Sequence, residues 1–306
     1  MPIPVACASV LEYESTFLDA VCGIVLEECG FAPSPGDRVL VKPNLVSRSN
    51  GHLSCTNAQV VRAACTWLLD RGARVTVADS PAFGSAASVA RAVGIAEAIA
   101  PLGLQVTNLG SPVSRQTSFD ATISISRQAL ETDAILNLPK LKVHCQMRLT
   151  GAVKNLFGCV VGLRKPLAHA RFGEKGTRFE AMILDLVGML PPVTSLMDAI
   201  RPMHRNGPVN GDPYDLGLVA ASASPVALDT ALYTLLAQHP DQLPLWQEAQ
   251  RRGLPGATFN DLRFPMEPLS NFDASTFVVP ADLTPVSFAP HRLLQGRIKS
   301  MLHRLG

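Results

Sequence analysis

The sequence predicts an α/β fold, with a mainly parallel sheet flanked by helices and an irregular C-terminal extension. Apolar, β-branched runs alternate with segments of helical periodicity as far as residue 240. Strands that alternate with helices pair in parallel through right-handed crossovers. After residue 240 the alternation stops. We therefore expect an α/β domain over residues 1–240 and a helical and irregular extension, packed on it, over residues 241–306.

Each predicted element has its own local signal. Strands are short apolar runs that end at turn residues, and helices have caps or stops, such as Thr56 or Asn57 before one helix and Pro191 after another. The predicted strands span residues 4–10, 38–44, 73–80, 104–110, 121–126, 134–140, 193–200 and 216–224. The predicted helices span residues 15–29, 60–69, 85–93, 179–190, 225–238 and 243–253, with a basic amphipathic helix over residues 291–306. That last helix docks on the body with its basic residues outward, or contacts a membrane or partner.

Composition excludes several classes of protein. The net charge of +2 is too small to indicate a nucleic acid partner, and the N-terminus lacks the pattern of a secretory signal. No uncharged apolar stretch reaches the roughly 18 residues of a membrane span. We expect a soluble, cytoplasmic protein.

The seven cysteines do not form a local ligand pattern. Their number is odd and no C-x-x-C occurs, which argues against a disulfide framework, a zinc ribbon or a ferredoxin-type cluster. Free, buried thiols are the simpler interpretation. No intrinsic iron–sulfur cluster is expected, although cysteines distant in sequence, above all Cys145 and Cys159, could meet in space.

Polar residues follow four of the predicted strands. In an open parallel sheet, ligands bind outside the carboxyl ends of the strands, where these residues converge. Any strand must also exit into polar sequence, so a single residue decides little. The residues at these ends are Lys42 and Asn44, Asp79 and Ser80, Lys140, Lys142 and His144, and Asp198.

Lysine is concentrated in the same part of the chain. The protein has seven lysines and twenty arginines, and five of the lysines lie between residues 140 and 175. A lysine ammonium is a compact charge that binds phosphate or carboxylate oxygens. This clustering predicts a small anionic ligand, whereas a solvated basic loop is the alternative.

A glycine-interrupted run, LTGAVKNLFGCVVG, follows these strands and carries Lys154 and Asn155. Its glycines allow the backbone to approach a ligand closely. It is neither G-x-x-x-x-G-K-[ST] nor G-x-G-x-x-G, so an ordinary nucleotide site is rejected. Asp229 lies among apolar residues of a predicted helix. We expect it to be paired structurally, and a salt bridge to a site lysine or an acid–base role are the alternatives.

Four blocks of sequence occur in a recognisable order: VLVKPNLV, LNLPKLKVH with LTGAVKNLFG, MDAIRPMHRNGPVNG, and SPVALDTAL. Together they resemble a known family, the domain of unknown function 362, and the resemblance covers residues 3–240. Members often carry a ferredoxin-like module with two C-x-x-C-x-x-C runs, which this sequence lacks. The resemblance implies redox chemistry or contact with a separate ferredoxin-like electron carrier. His204 stands where a glutamate is usual, so any acid–base role of that position does not transfer.

Two function classes remain open. The first is an enzyme, with an oxidoreductase favoured by the resemblance, that acts on a small carboxylate or phosphate compound. The second is a non-catalytic binding or cofactor-assembly protein. Histidine suits acid–base work near neutral pH. The catalytic candidates are His144, Lys142 and Lys154, and the substrate-binding candidates are Lys42, Asn44, Asp79, Ser80, Lys140, Asn155, His169 and Asp198.

Overall fold

The structure is a computed structural model, and it describes residues 1–13, 16–48, 51–81, 84–161 and 178–280. Its strands are β1 (Ile3–Pro4), β2 (Ala6–Ser9), β3 (Arg38–Pro43), β4 (Arg74–Asp79), β5 (Val106–Asn108), β6 (Pro112–Gln116), β7 (Thr122–Ser126), β8 (Ala134–Leu138), β9 (Lys140–His144), β10 (Arg148–Thr150), β11 (Val193–His204), β12 (Asp212–Pro213), β13 (Leu218–Ser222) and β14 (Leu262–Arg263).

The helices in the same residues include two of 13 residues that pack on the sheet. They are α1 (Thr16–Glu28), α2 (Gly51–Ser54), α3 (Ala58–Asp70), α4 (Ala86–Ala92), α5 (Ile95–Ile99), α6 (Arg127–Leu130), α7 (Ala152–Asn155), α8 (Arg178–Met189), α9 (Pro225–Leu235) and α10 (Pro244–Arg251). Of the two predicted caps, Thr56 and Asn57, the cap is Asn57, whose side chain accepts from the Gln59 N–H at 2.8 Å. The predicted C-terminal helix lies outside the described residues.

Ten of the described strands form one mixed sheet. β3 pairs in parallel with β4 and β8, β4 pairs in parallel with β5, and β8 pairs in parallel with β11. The predicted parallel core is therefore confirmed. Helices cover both faces, which explains the continuous apolar runs: Val39 and Val41 pack in one core and Leu40 in the core on the opposite face.

Two strands depart from the predicted parallel pattern. The strand predicted at 216–224 is present as β13, but it lies antiparallel to β11. A loop rather than a crossover helix joins the two, and a direct return reverses the strand direction. The strand predicted at 121–126 is present as β7, which pairs with β6 in a separate hairpin.

One feature of the topology positions the lysines. β8 and β9 both pair in parallel with the long strand β11, and they join at Pro139. Pro43 at the end of β3 aligns with Leu138, so β9 continues past the end of its neighbour. Lys140 and Lys142 therefore extend the carboxyl edge of the sheet beyond β3.

The segment after residue 240 contacts the rest of the chain. Trp246 and Phe272 pack in a core that also contains Leu141 and Val143, and β14 pairs in parallel with β1. The division of the chain at residue 240 stays a prediction.

Candidate active site

The first buried ion pair joins the ends of β3 and β4. The Lys42 ammonium lies 2.8 Å from the Asp79 carboxylate, with the two side chains 0% and 3% exposed. The same ammonium donates to the Asn155 side-chain oxygen at 3.3 Å. The other Asp79 oxygen accepts from the Leu45 N–H at 3.0 Å. A buried carboxylate and a buried ammonium thus compensate each other, as burial requires.

A second buried pair joins β9 to β11. The Lys140 ammonium lies 2.9 Å from Asp198 and donates to the Tyr13 hydroxyl at 2.7 Å. That hydroxyl donates to the same carboxylate oxygen at 2.8 Å, and the second oxygen accepts from the Asn57 N–H. Burial lowers the pKa of Lys140, and Asp198 opposes this shift. The sequence analysis missed Tyr13, which lies outside any motif.

Lys142 is the third buried lysine, and its surroundings differ from those of the other two. Its ammonium donates to the Ser54 carbonyl at 2.5 Å, and within the described residues it has no carboxylate partner. Asn44 donates to the same carbonyl at 2.6 Å. Burial, with a contribution from the charge of Lys140, lowers the pKa of Lys142 to about 8.

A buried amide network links the Lys42 pair to the middle of the sheet. Asn155 donates to Asn137 at 2.8 Å, and Asn137 donates to the Ser195 hydroxyl at 3.0 Å. The backbone at Gly158 crosses so close to Lys42 and Asp79 that a Cβ there would overlap both side chains. Asn137 was missed because an asparagine within an apolar strand gives no sign of its partners.

Helix α7, which carries Asn155, is held by Asp229. The carboxylate of Asp229 accepts from the N–H groups of Ala152 and Val153 at 2.6 and 3.0 Å. This is the structural pairing that was expected for Asp229, with backbone N–H groups rather than a lysine as its partners. Burial raises the pKa of Asp229 to about 7, opposed by these hydrogen bonds.

The remaining predicted residues are His144, Lys154, Ser80 and His169. His144 ends β9, and its Nδ1 accepts from the N–H groups of Gln146 and Met147 at 3.0 and 3.3 Å. The ammonium of Lys154 lies 4.6 Å from the centre of the Phe157 ring. Ser80 directly follows Asp79 and is half-buried. His169 lies outside the described residues.

A cavity of about 220 Å³ lies beside the second pair. Tyr13 and Asn57, which both hydrogen-bond to Asp198, form part of its wall. His52, Thr56 and Gln59 also line it. The cavity is polar and small, so its size suits a compact ligand.

In the part of the chain that the structure describes, no cluster of three or more His, Cys, Asp or Glu side chains is placed to hold a metal ion. All seven cysteines are free thiols; Cys159 is buried and Cys145 half-buried. None of the helices in this part of the chain combines the length and apolarity that a membrane crossing needs.

Comparison with known proteins identifies the family. The model of the family described as "Domain of unknown function (DUF362)" matches residues 39–234. The chain belongs to this family. A protein of Synechocystis sp. named thylakoid-associated protein sll1697 is 34% identical over 293 residues, which cover 94% of this chain and 91% of that protein. The resemblance drawn from the four sequence blocks is thus confirmed.

Two solved structures are partly similar to the DUF362 chain. The lactate racemase apoprotein from Thermoanaerobacterium thermosaccharolyticum is 12% identical with a TM-score of 0.48, and the match covers 73% of this chain and 55% of that one. A protein from Thermotoga maritima is 13% identical with a TM-score of 0.39, over 64% of this chain and 53% of that one. The chain spans about half the length of each. Similarity at this level does not bear on the reaction.

The three buried lysines should respond differently to loss of charge. Lys42→Met and Lys140→Met each leave a buried aspartate without its cation, which should cost about 3–5 kcal/mol of unfolding free energy. Lys142→Met removes a buried cation that has no carboxylate partner among the residues that the structure describes, while Asn44 still satisfies the Ser54 carbonyl. We expect the unfolding free energy of this variant to be unchanged or higher by up to about 3 kcal/mol, because each unit by which burial lowers the pKa of Lys142 costs about 1.4 kcal/mol. Urea unfolding at pH 7 measures all three.

Arg74→Met is the matched control, because it removes an exposed cation from the amino end of β4. It should change stability by less than about 0.5 kcal/mol. If Lys142→Met loses as much stability as the other two variants, the assignment of the two ion pairs to Lys42 and Lys140 is contradicted.

Asp229 should make stability depend on pH. Its pKa is raised from 3.8 to about 7, so between these values the folded state binds more protons than the unfolded state. The unfolding free energy therefore falls as the pH rises through this window. Tyr233 is the titratable group that contacts it, at 3.4 Å. Between pH 5 and pH 8, the unfolding free energy of the wild type should fall by about 2–3 kcal/mol relative to that of Asp229→Asn, because one pKa unit corresponds to about 1.4 kcal/mol. A difference that stays constant with pH would refute this.

Proposed function

We propose that this DUF362 protein is an enzyme that acts on a small carboxylate or phosphate compound bound at the carboxyl edge of its sheet. The observation that carries the proposal is the balance of buried charge. Three lysines, Lys42, Lys140 and Lys142, are buried there, and two aspartates are paired with them. At an effective dielectric constant near 20, two unit charges about 4 Å apart repel by roughly 4 kcal/mol. A bound anion would compensate the third lysine.

The setting of Lys142 favours an enzyme over a simple binding protein. Acid–base groups work best when their pKa lies near the working pH, and the pKa of Lys142 is lowered to about 8. The cavity beside Tyr13 and Asn57 is of a size for a compact substrate. A non-catalytic binding or cofactor-assembly role is the alternative, and it would require the lysines to hold a ligand without turnover.

A redox reaction is the version that the family resemblance favours. In that case electrons would come from a separate ferredoxin-like carrier, because the seven cysteines of this chain contain no local cluster motif. A cytoplasmic location stays a prediction, since the Synechocystis relative is named as thylakoid-associated.

The anion site is tested by thermal denaturation with a panel of small carboxylates, phosphates and nucleotides. A ligand of the native state at 100 times its Kd should stabilise the wild type by about 2.7 kcal/mol. The Lys142→Met variant should lose this gain, whereas Arg74→Met should keep it. If no compound raises the Tm of the wild type, the anion site is refuted.

The iron content distinguishes an intrinsic from an external electron carrier. Protein purified without oxygen should contain iron and inorganic sulfide far below one equivalent per chain, because its cysteines lack ligand spacing. Colorimetric iron and sulfide analysis measures this. A near-stoichiometric amount of both would show that distant cysteines bind a cluster.

A further inference from the structure

Lys142 differs from the other buried lysines in what it can do chemically. Lys42 and Lys140 are each paired with an aspartate carboxylate, at 2.8 and 2.9 Å. The Lys142 nitrogen donates to one carbonyl oxygen, that of Ser54, and a neutral amine can make this bond equally well. Of the three, Lys142 is the lysine best placed to lose its proton.

Burial is the main cause of the lowered pKa of Lys142, because it removes the water that would stabilise the charge of the ammonium. The positive charges of Lys140 and Lys42 lower this pKa further, whereas Cys55 and Asp79 oppose the shift. A lysine whose pKa is near 8 is uncharged in about a tenth of molecules at pH 7. An uncharged amine is the form that attacks a carbonyl carbon.

The segment that accepts the hydrogen bond from Lys142 also borders a small cavity. Ser54, which bonds to the amine, lies between His52 and Thr56, and both of these line the cavity of about 220 Å³. Typical pockets for drug-sized ligands begin at about 300 Å³. The segment Gly51–Ser54 is thus next to both the amine and a space for a molecule of few atoms.

We propose that Lys142 condenses with the carbonyl group of a small monoanionic 2-oxo acid to form an imine. This rests on the proposed anion site and specifies its substrate class. The Lys142 nitrogen forms a bond to the carbonyl carbon, and the carbonyl oxygen leaves as water with both amine hydrogens, so no oxidant or reductant is needed. Protonation of the imine restores one positive charge. One carboxylate on the substrate then balances it, while the two aspartates balance the other two lysines.

The experiment treats the intact protein with glyoxylate and sodium borohydride, which reduces an imine to a stable amine. Digestion and mass spectrometry then locate the added carboxymethyl group. We expect Lys142 to be modified to a near-stoichiometric level and Lys154 to be modified only slightly. Glycolate, which has the same carboxylate without the carbonyl, should protect Lys142 when present in excess.

Variants and the thermal shift separate the two proposals. Lys142→Arg, which keeps the charge but cannot form an imine, should lose the modification; the site-resolved wild-type result stands even if this variant fails to fold. If glycolate raises the Tm but glyoxylate leaves Lys142 unmodified, the imine is refuted and the anion site remains. If neither effect occurs, both proposals are wrong.

Discussion

The burial of three ammonium groups at one edge of the sheet is the constraint on which the rest of the site depends. A buried cation must be neutralised or deprotonated, so each lysine needs a particular neighbour. Asp79 and Asp198 supply two of these neighbours as carboxylates. The first pair requires a glycine at position 158, because any side chain there would overlap Lys42 and Asp79. The third lysine, Lys142, donates to a backbone carbonyl instead, so its chemistry differs from that of the other two.

The interruption of one strand at Pro139 determines where these charges lie. Proline has no N–H to donate, and here its carbonyl accepts from the Asp198 N–H at 3.0 Å. β9 therefore continues along β11 beyond the end of β3. This brings Lys140 opposite Asp198 in the register of the two strands. The same extension brings Lys142 to the segment that follows β3, which carries Asn44 and Ser54.

Support for the site comes from elements that are distant in sequence. Asp229, on α9, accepts from the first N–H groups of α7, and α7 presents Asn155 to Lys42. Tyr13 follows β2 and reaches Lys140. The lysines are therefore held by at least four separate segments, so their geometry depends on the whole α/β body rather than on one loop.

Periodicity and strand-end residues in the sequence determined the parallel core and the edge at which Lys42, Asp79, Lys140 and Asp198 converge. These follow from local patterns, because a buried parallel strand is apolar along its length and exits at one edge. Only the tertiary structure decided which charges pair, that Lys142 has a carbonyl instead of a carboxylate partner, and that β13 returns antiparallel. Such features depend on strand register and on contacts between residues more than 50 positions apart in the sequence, such as Lys140 and Asp198. The packing of the whole chain determines strand register and long-range contacts, so a local pattern of residues does not predict them.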